Sequence, residues 1–267
     1  MAFPSRDAYE RFIYSLPGTH SEVQSSTLHL YTNSPTTCFV RGSIRFRNGL
    51  ELCVFEYLDF ADGELLDYRY ALLRGEEPVR WYDSQPHPKI PELVSTFPHH
   101  LHEPPDIKHN RKPAPGISFT APNLPTLIAD CVTLGESPAA GPPRTLRERD
   151  ARYSDLLQHT EVREMATITL SDILDDLRAA DKVLRKFEQR YWISSDVFYD
   201  LYSQGRLDDG QNLEDFSEWA GFYKIKQHRE ELLRQFSRQR VAELSTTDAE
   251  RDLVHLAPQE PLIEIPA

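Results

Sequence analysis

The chain has 267 residues, 39% of them hydrophobic, with three cysteines and a formal net charge of −12. This length makes one large domain or two small ones, and an apolar share below the ~45–50% of an average globular domain leaves room for linkers or an exposed tail. No run approaches the ~18 apolar residues of a membrane span, and the opening MAFPSRDAYERF has no signal-peptide pattern. The odd cysteine set (Cys38, Cys53, Cys131) lacks CxxC spacing, which excludes a disulfide framework and a cysteine zinc site; a soluble, cytoplasmic protein without membrane partners is predicted.

Charge is distributed unevenly. Residues 1–135 carry 12 Lys+Arg against 16 Asp+Glu, whereas residues 165–267 carry 13 against 20. Before Lys89 every basic residue is an arginine. Such a balance argues against a broadly basic nucleic-acid binder, but it permits a local site lined by arginine.

Residues 22–83 alternate apolar and polar side chains in short runs, the pattern of an antiparallel sheet. Asn48-Gly49 and Asp62-Gly63 read as two-residue hairpin turns, with a weaker one at Gly75-Glu76. That register sets Arg41 against Glu56, Glu56 against Arg69, and Tyr82 against Arg69. One face then collects Arg41, Arg45, Glu56, Arg69, Arg80 and Tyr82. The other collects Val40, Ile44, Cys53, Phe55, Tyr57, Tyr68, Tyr70, Leu72 and Trp81 as a core. The polar face reads either as a solvated surface, with cross-strand ion pairs worth ~0.2–1 kcal/mol each, or as a surface that grips phosphate through arginine forks.

Residues 84–145 are dense in proline and are predicted to be loop and linker. They carry His87, His99, His100 and His102, side chains suited to general acid or base work near neutral pH. Pairs of these histidines have the spacing to ligate a metal. No Cys, Asp or Glu ligand spacing accompanies them, so neither a metal nor another cofactor is predicted. The sheet has no lysine, which disfavours a Mg²⁺-dependent restriction-type nuclease core. Walker, GxGxxG and GxSxG motifs are absent.

From Thr169 the spacing turns helical, with Leu170, Ile173, Leu174, Leu177, Leu184 and Phe187 on one face and a capping box from Thr169 to Asp172. A second helix is predicted after Ser194-Ser195, stopping at Gly205. A third runs from near Asn212 to about Arg238 with Phe216, Trp219, Tyr223 and Ile225 as its apolar set. Met165 reads as a seam between two formerly separate chains, and residues 262–265 as a segment able to add a strand to a sheet edge. The predicted fold is α+β. An antiparallel meander domain (1–135) with few helices is followed by a proline-rich linker (136–164), a small helical domain (165–240) and a tail (241–267).

The strings FEYLDF (55–60), YRY (68–70), VRWYDSQPHP (79–88) and STFPHHLHEP (95–104) fall in one order, and over residues 22–131 the chain resembles the TumE family of bacterial toxin–antitoxin modules. The matching positions are Glu56, Tyr68, Arg69, Tyr70, Arg80, Asp83, His87, His99, His100 and His102. An inserted Trp81 and Leu101, where a basic residue is frequent, depart from the pattern. The resemblance implies a small ribonuclease toxin held silent by an antitoxin. Without a metal, such a reaction needs a base, an acid and cations around the ribose 2′-OH and its phosphate. The expected catalytic set is His99 or His100 with Glu56 as base and acid in either order, Arg69 and Arg80 as phosphate clamps, and Tyr82 as a proton donor or stacking platform. Arg41, Arg45, Tyr68, Tyr70, His87 and His102 are expected to hold the RNA.

The string SSDVFYDLYSQGRLDD…EDFSEWAGFYKIKQHREELL is similar to the small acidic proteins that accompany such toxins, so residues 165–267 are expected to act as an antitoxin in cis or in trans. Their acidity suits an arginine-lined site. Self-association is left open. Two other readings stand beside this one: a catalytically inactive interaction protein on a toxin-like fold, and a metal-dependent phosphodiesterase using the histidine segment.

Overall fold

The computed structural model describes residues 3–135, 168–207, 212–245 and 256. It opens on α1 (Arg6–Thr19), started by Ser5, whose hydroxyl accepts the Ala8 N–H. This helix buries Tyr9, Phe12, Ile13 and Leu16, one stripe at helical spacing. The meander follows: β1 (Val23–Ser26), β2 (His29–Thr32), β3 (Thr37–Phe46), β4 (Leu50–Asp59), β5 (Glu64–Arg74) and β6 (Glu77–Asp83). β7 (His100–His102) and β8 (Arg111–Pro113) complete one antiparallel eight-stranded sheet in the order β1-β3-β4-β5-β6-β7-β8, with β2 also on β3. β1 and β2 share that edge because the chain crosses over Gly42 between them. Gly42 has φ +140°, and a Cβ there would stand 2.4 Å from the Thr27 carbonyl oxygen.

The proline-dense stretch is more ordered than its composition predicts. Besides β7 and β8 it holds a 3-10 turn (Pro91–Thr96) and α2 (Leu124–Gly135). Pro125 does not break α2, because it lies in the first turn, where the N–H has no helical partner to lose. Among the described residues three helices follow: α3 (Leu170–Tyr191), α4 (Ser195–Ser203) and α5 (Leu213–Ser245). The Thr169–Asp172 capping box forms, and Gly205, at φ +62°, stands just beyond α4. The apolar face of α3 is rotated from the predicted one. Ile173, Asp176, Ala180, Leu184 and Phe187 are buried, while Leu170 and Leu174 are exposed, because Asp176 turns inward to an arginine of α5. The Met165 seam, the 136–164 linker and the 262–265 segment lie outside the described residues. Among the described residues no helix is long and apolar enough to cross a membrane.

The sheet is the middle of three layers. α1 and α2 cover one face, around Val40, Ile44, Leu52, Val54, Tyr68, Tyr70 and Leu72. On the other face Phe55, Tyr57 and Leu66 enter the same apolar cluster as Leu184, Phe187, Phe198, Tyr202, Trp219, Phe222 and Ile225. The core of the C-terminal helices is therefore completed by the sheet. α5 approaches closely at Gly221, where a Cβ would stand 2.6 Å from the Tyr57 ring.

Each predicted hairpin pairing is displaced by one residue. The first connection is the three-residue loop 47–49, in which Gly49 takes φ +84° and donates its N–H to the Phe46 carbonyl. The second is a four-residue loop, 60–63, followed by a bulge at Leu66. The third is the two-residue turn predicted, with Arg74 against Glu77, but a bulge at Val79 shifts the pairing beyond it. In consequence Arg41 pairs with Phe55, Glu56 with Val40 and Tyr68, Arg69 with Phe55 and Asp83, and Tyr82 with Tyr70.

Candidate active site

A one-residue shift of register moves a whole side-chain set to the opposite face. Glu56 consequently does not sit between Arg41 and Arg69. It lies wholly buried on the α1 side, accepting hydrogen bonds from the hydroxyls of Tyr9 (2.5 Å) and Tyr70 (2.7 Å). Asn123 supports Tyr70 in turn, donating to its hydroxyl at 3.1 Å. Burial pushes the Glu56 carboxyl up to about 7, and the two tyrosine bonds only partly oppose it. Arg80 and Tyr82 are also on this face, so they do not join Arg69. Arg80 pairs with Glu103 and Asp130, and the Tyr82 hydroxyl donates to Asp130. These expected site residues form internal ties of the N-terminal core. Cys53, Phe55, Tyr57 and Trp81, expected in that core, belong to the other face.

His99 and His100 diverge. His99 Nδ1 lies 2.7 Å from the Tyr68 hydroxyl, and its ring stacks on Tyr68 and meets Phe119 edge-on. Burial, with the nearby charges of Lys224 and His100, pushes His99 down to about 4, so it is neutral and weakly basic near pH 7. His100 instead joins the helix-covered face. The expected pair of Glu56 with His100 is therefore separated by the sheet itself.

On that second face the ladder forms a continuous row: Arg41, Phe55, Arg69, Asp83 and His100 on β3 to β7. The neighbouring row runs from Ala71 through Trp81 and His102 to Arg111. Together they gather Asp83, His100 and His102, all buried. His100 Nε2 is 3.1 Å from Asp83 Oδ1, and His102 Nε2 is 3.3 Å from Oδ2. The His87 ring meets His100 edge-on at 4.9 Å, and Trp81 packs on His102 at 4.6 Å. Burial alone would raise the Asp83 carboxyl, but His100 and His102 hold it well below the usual carboxylate range. Burial lowers His100, with Asp83 partly opposing. Arg69, half-buried beside Asp83, has no ion-pair partner among the described residues, and its Nε is buried without a hydrogen-bond acceptor.

The remaining expected residues are dispersed. Arg41 lies over the Phe39 and Phe55 rings and pairs with Glu214 and Glu218 of α5, both at 3.0 Å. Arg45 is exposed and pairs with Glu51. Tyr68 and Tyr70 face α1. Of the substrate-binding set, His87 and His102 alone reach the cluster. Asp83, a matching position of the resemblance with no role assigned to it, and Arg111, which no motif marks, complete this face; His100 and His102, alternating along one strand, already imply that they share it.

The helices close over this face. The Gly205 turn stands so near that a Cβ there would come within 2.6 Å of His87 Nδ1 and of the Pro86 carbonyl oxygen. Gln85 donates to the Leu207 carbonyl at 3.5 Å. The ion pairs across the interface run mostly opposite to the predicted sense, with bases on the helices and acids on the sheet. Lys224 donates to Asp67 and to the Leu66 carbonyl, and Tyr202 also donates to Asp67. Arg229, fully buried, bridges Asp59 of the sheet and Asp176 of α3 and reaches Asp62.

A one-sheet α+β domain with an acid–histidine cluster on a covered face is the class of structure that results. Residues 10–134 match the family model described as Toxin TumE, so the sheet domain is similar to the toxins of that family, and a toxin of a toxin–antitoxin pair, with an antitoxin as partner, is the class this match supports. The match ends at α2 and leaves α3 to α5 outside it. No curated protein and no solved structure matches the chain.

Proposed function

We propose that the sheet domain is an RNA-cleaving toxin whose site is the face bearing Arg69, Asp83, His100 and His102, and that α3 to α5 serve as its antitoxin within the same chain. The observation that carries this reading is the contact of the Gly205 turn with His87, directly beside the cluster. Phosphodiester cleavage needs a fixed cation for the charge that develops on phosphate, and Arg69, without an ion pair among the described residues, sits one strand from Asp83 in register. Arg111 stands in register with His102 on the far side. Asp83 supplies the carboxylate beside the histidines, the place assigned to Glu56 in the sequence reading. A domain that buries these groups denies them to a polymeric substrate.

The test is expression of the full chain and of Gly221→Val in a bacterial host, followed by growth and by the integrity of cellular RNA. The new side chain would collide with Tyr57 and loosen α5. The full chain is expected to be tolerated, Gly221→Val to arrest growth with cleaved RNA, and Arg69→Ala in that background to restore growth. Intact RNA and normal growth, when limited proteolysis confirms that the helices have been freed, would favour the inactive interaction protein instead.

A further inference from the structure

The Asp83, His100 and His102 cluster has a feature that ion pairing alone does not satisfy. His100 Nδ1 lies 3.1 Å from the Pro98 carbonyl oxygen, and His102 Nδ1 lies 2.9 Å from that of Ile107. A carbonyl only accepts, so each Nδ1 carries a proton, and whenever a ring is neutral the lone pair of its Nε2 faces the cluster. The carboxylate of Asp83 is likewise an acceptor. A second proton on either ring does not resolve the arrangement, because among the described residues neither Nε2 nor Asp83 Oδ2 has a hydrogen-bond partner of acceptable geometry, although all are buried. Three electron-pair donors thus converge within 4.8 Å of one another.

We propose that Asp83, His100 and His102 bind one divalent first-row transition metal ion, with Zn²⁺ as the best-matched probe. The spacing fits: with bonds of ~2.0 Å, adjacent donors of a tetrahedral site lie ~3.3 Å apart, against the 3.1 and 3.3 Å between each Nε2 and its carboxylate oxygen. The donor set fits as well, since two imidazoles and one carboxylate suit zinc and its neighbours, whereas Mg²⁺ and Ca²⁺ favour oxygen ligands and water. The outer partners are those of a metal site. Both Nδ1–H groups are held by backbone carbonyls, and Asp83 Oδ1 accepts the Gln85 N–H at 3.1 Å. Three protein ligands leave a coordination position open, as in zinc sites that act on a substrate. The metal site stands on this geometry alone. Only its use on an RNA phosphate, where the ion would act as a Lewis acid beside Arg69, rests on the toxin reading.

The experiment uses the untagged full chain, stripped with chelator, dialysed, and titrated with Zn²⁺ by calorimetry. One ion per chain is expected, with Mg²⁺ unable to compete. His100→Ala and Asp83→Asn are each expected to weaken binding by on the order of 100-fold. His109→Ala, at an exposed histidine outside the cluster, is expected to leave binding unchanged. Because a cluster variant can misfold, Co²⁺ is also added to the unmodified chain, where the intense visible bands of tetrahedral cobalt are expected. An absence of stoichiometric uptake, octahedral cobalt bands, or unweakened binding in a folded His100→Ala would each overturn the site. RNA cleavage is measured separately on the metal-loaded and metal-free Gly221→Val chain, so a loaded protein that leaves RNA intact would refute the toxin reading and not the metal site.

Discussion

The two faces of this sheet obey different rules. The face under α1 and α2 is an apolar core built from residues 3–135, and its fully buried carboxyl, Glu56, is held by two tyrosine hydroxyls. The face under α3 to α5 carries Asp59, Asp67, Asp83, Arg41, Arg69, His100 and His102, and its cover comes from distant sequence through charged bonds set around the apolar cluster of Phe55, Tyr57 and Leu66. Apolar burial is non-directional and accepts any complementary surface, whereas buried charges are costly unless each meets a specific partner. The first face thus makes the domain, and the second selects what covers it.

The sharpest way to break the comparison is at Arg229, which meets carboxylates from the sheet and from α3 at once. Arg229→Met strands Asp59 and Asp176 in the interface. A loss of about 3–5 kcal/mol is expected, seen as faster amide exchange throughout α3 to α5 while α1 and the central strands keep their protection. Uniform loss of protection across both faces would mean that the layers unfold as one unit.

Glu56 tests the other face. Its carboxyl is raised by burial from the ordinary 4.5 to about 7, so the neutral form favours the fold. The stabilisation is complete below about pH 4.5 and is lost as pH rises through about 7, because the folded state must then keep an ion that the unfolded chain carries in water. At ~1.36 kcal/mol per pH unit, the stability difference between the native chain and Glu56→Gln should change by about 3 kcal/mol between pH 4.5 and 8. Denaturant titration of both chains across that range measures it, and a constant difference would contradict a raised Glu56.

The same contrast accounts for what the sequence disclosed. Alternation and the Gly49, Gly63 and Gly75 turns were enough for the meander, and the Thr169 cap and Gly205 stop were enough for the helices, because those signals are local. Ser5 followed by Tyr9, Phe12, Ile13 and Leu16 is an equally local signal for α1, a helix absent from the sequence-based expectations. Register was not legible. Bulges at Leu66 and Val79 and the left-handed Gly49 each add one residue that no pattern of polarity marks, and those slips carry Glu56 to the α1 face and leave Asp83 beside Arg69. The histidine segment was recognised as important, but its acid partner emerged only from the pairing of β6 with β7 across an irregular connection. The burial of Arg229 required the third helix to be placed on the sheet, which is tertiary information alone.

Smaller changes at the covered face separate packing from charge. Gly221→Ala puts a methyl group 2.6 Å from the Tyr57 ring, where α5 must move or the ring must turn. A cost of about 1–3 kcal/mol is expected, with the lowered melting temperature unaffected by salt.

Arg41→Ala should cost less than about 1 kcal/mol, even though Arg41 makes two close ion pairs with α5, because all three side chains keep contact with water. Its effect should fade further in high salt. The contrast with Arg229 is the informative part: both arginines join the sheet to the helices, but only one is wholly removed from solvent. If Arg41→Ala released the helices as readily as Arg229→Met, the cover would be held by its charged rim and not by its buried centre. The salt dependence of the two melting curves, measured side by side, decides between those arrangements.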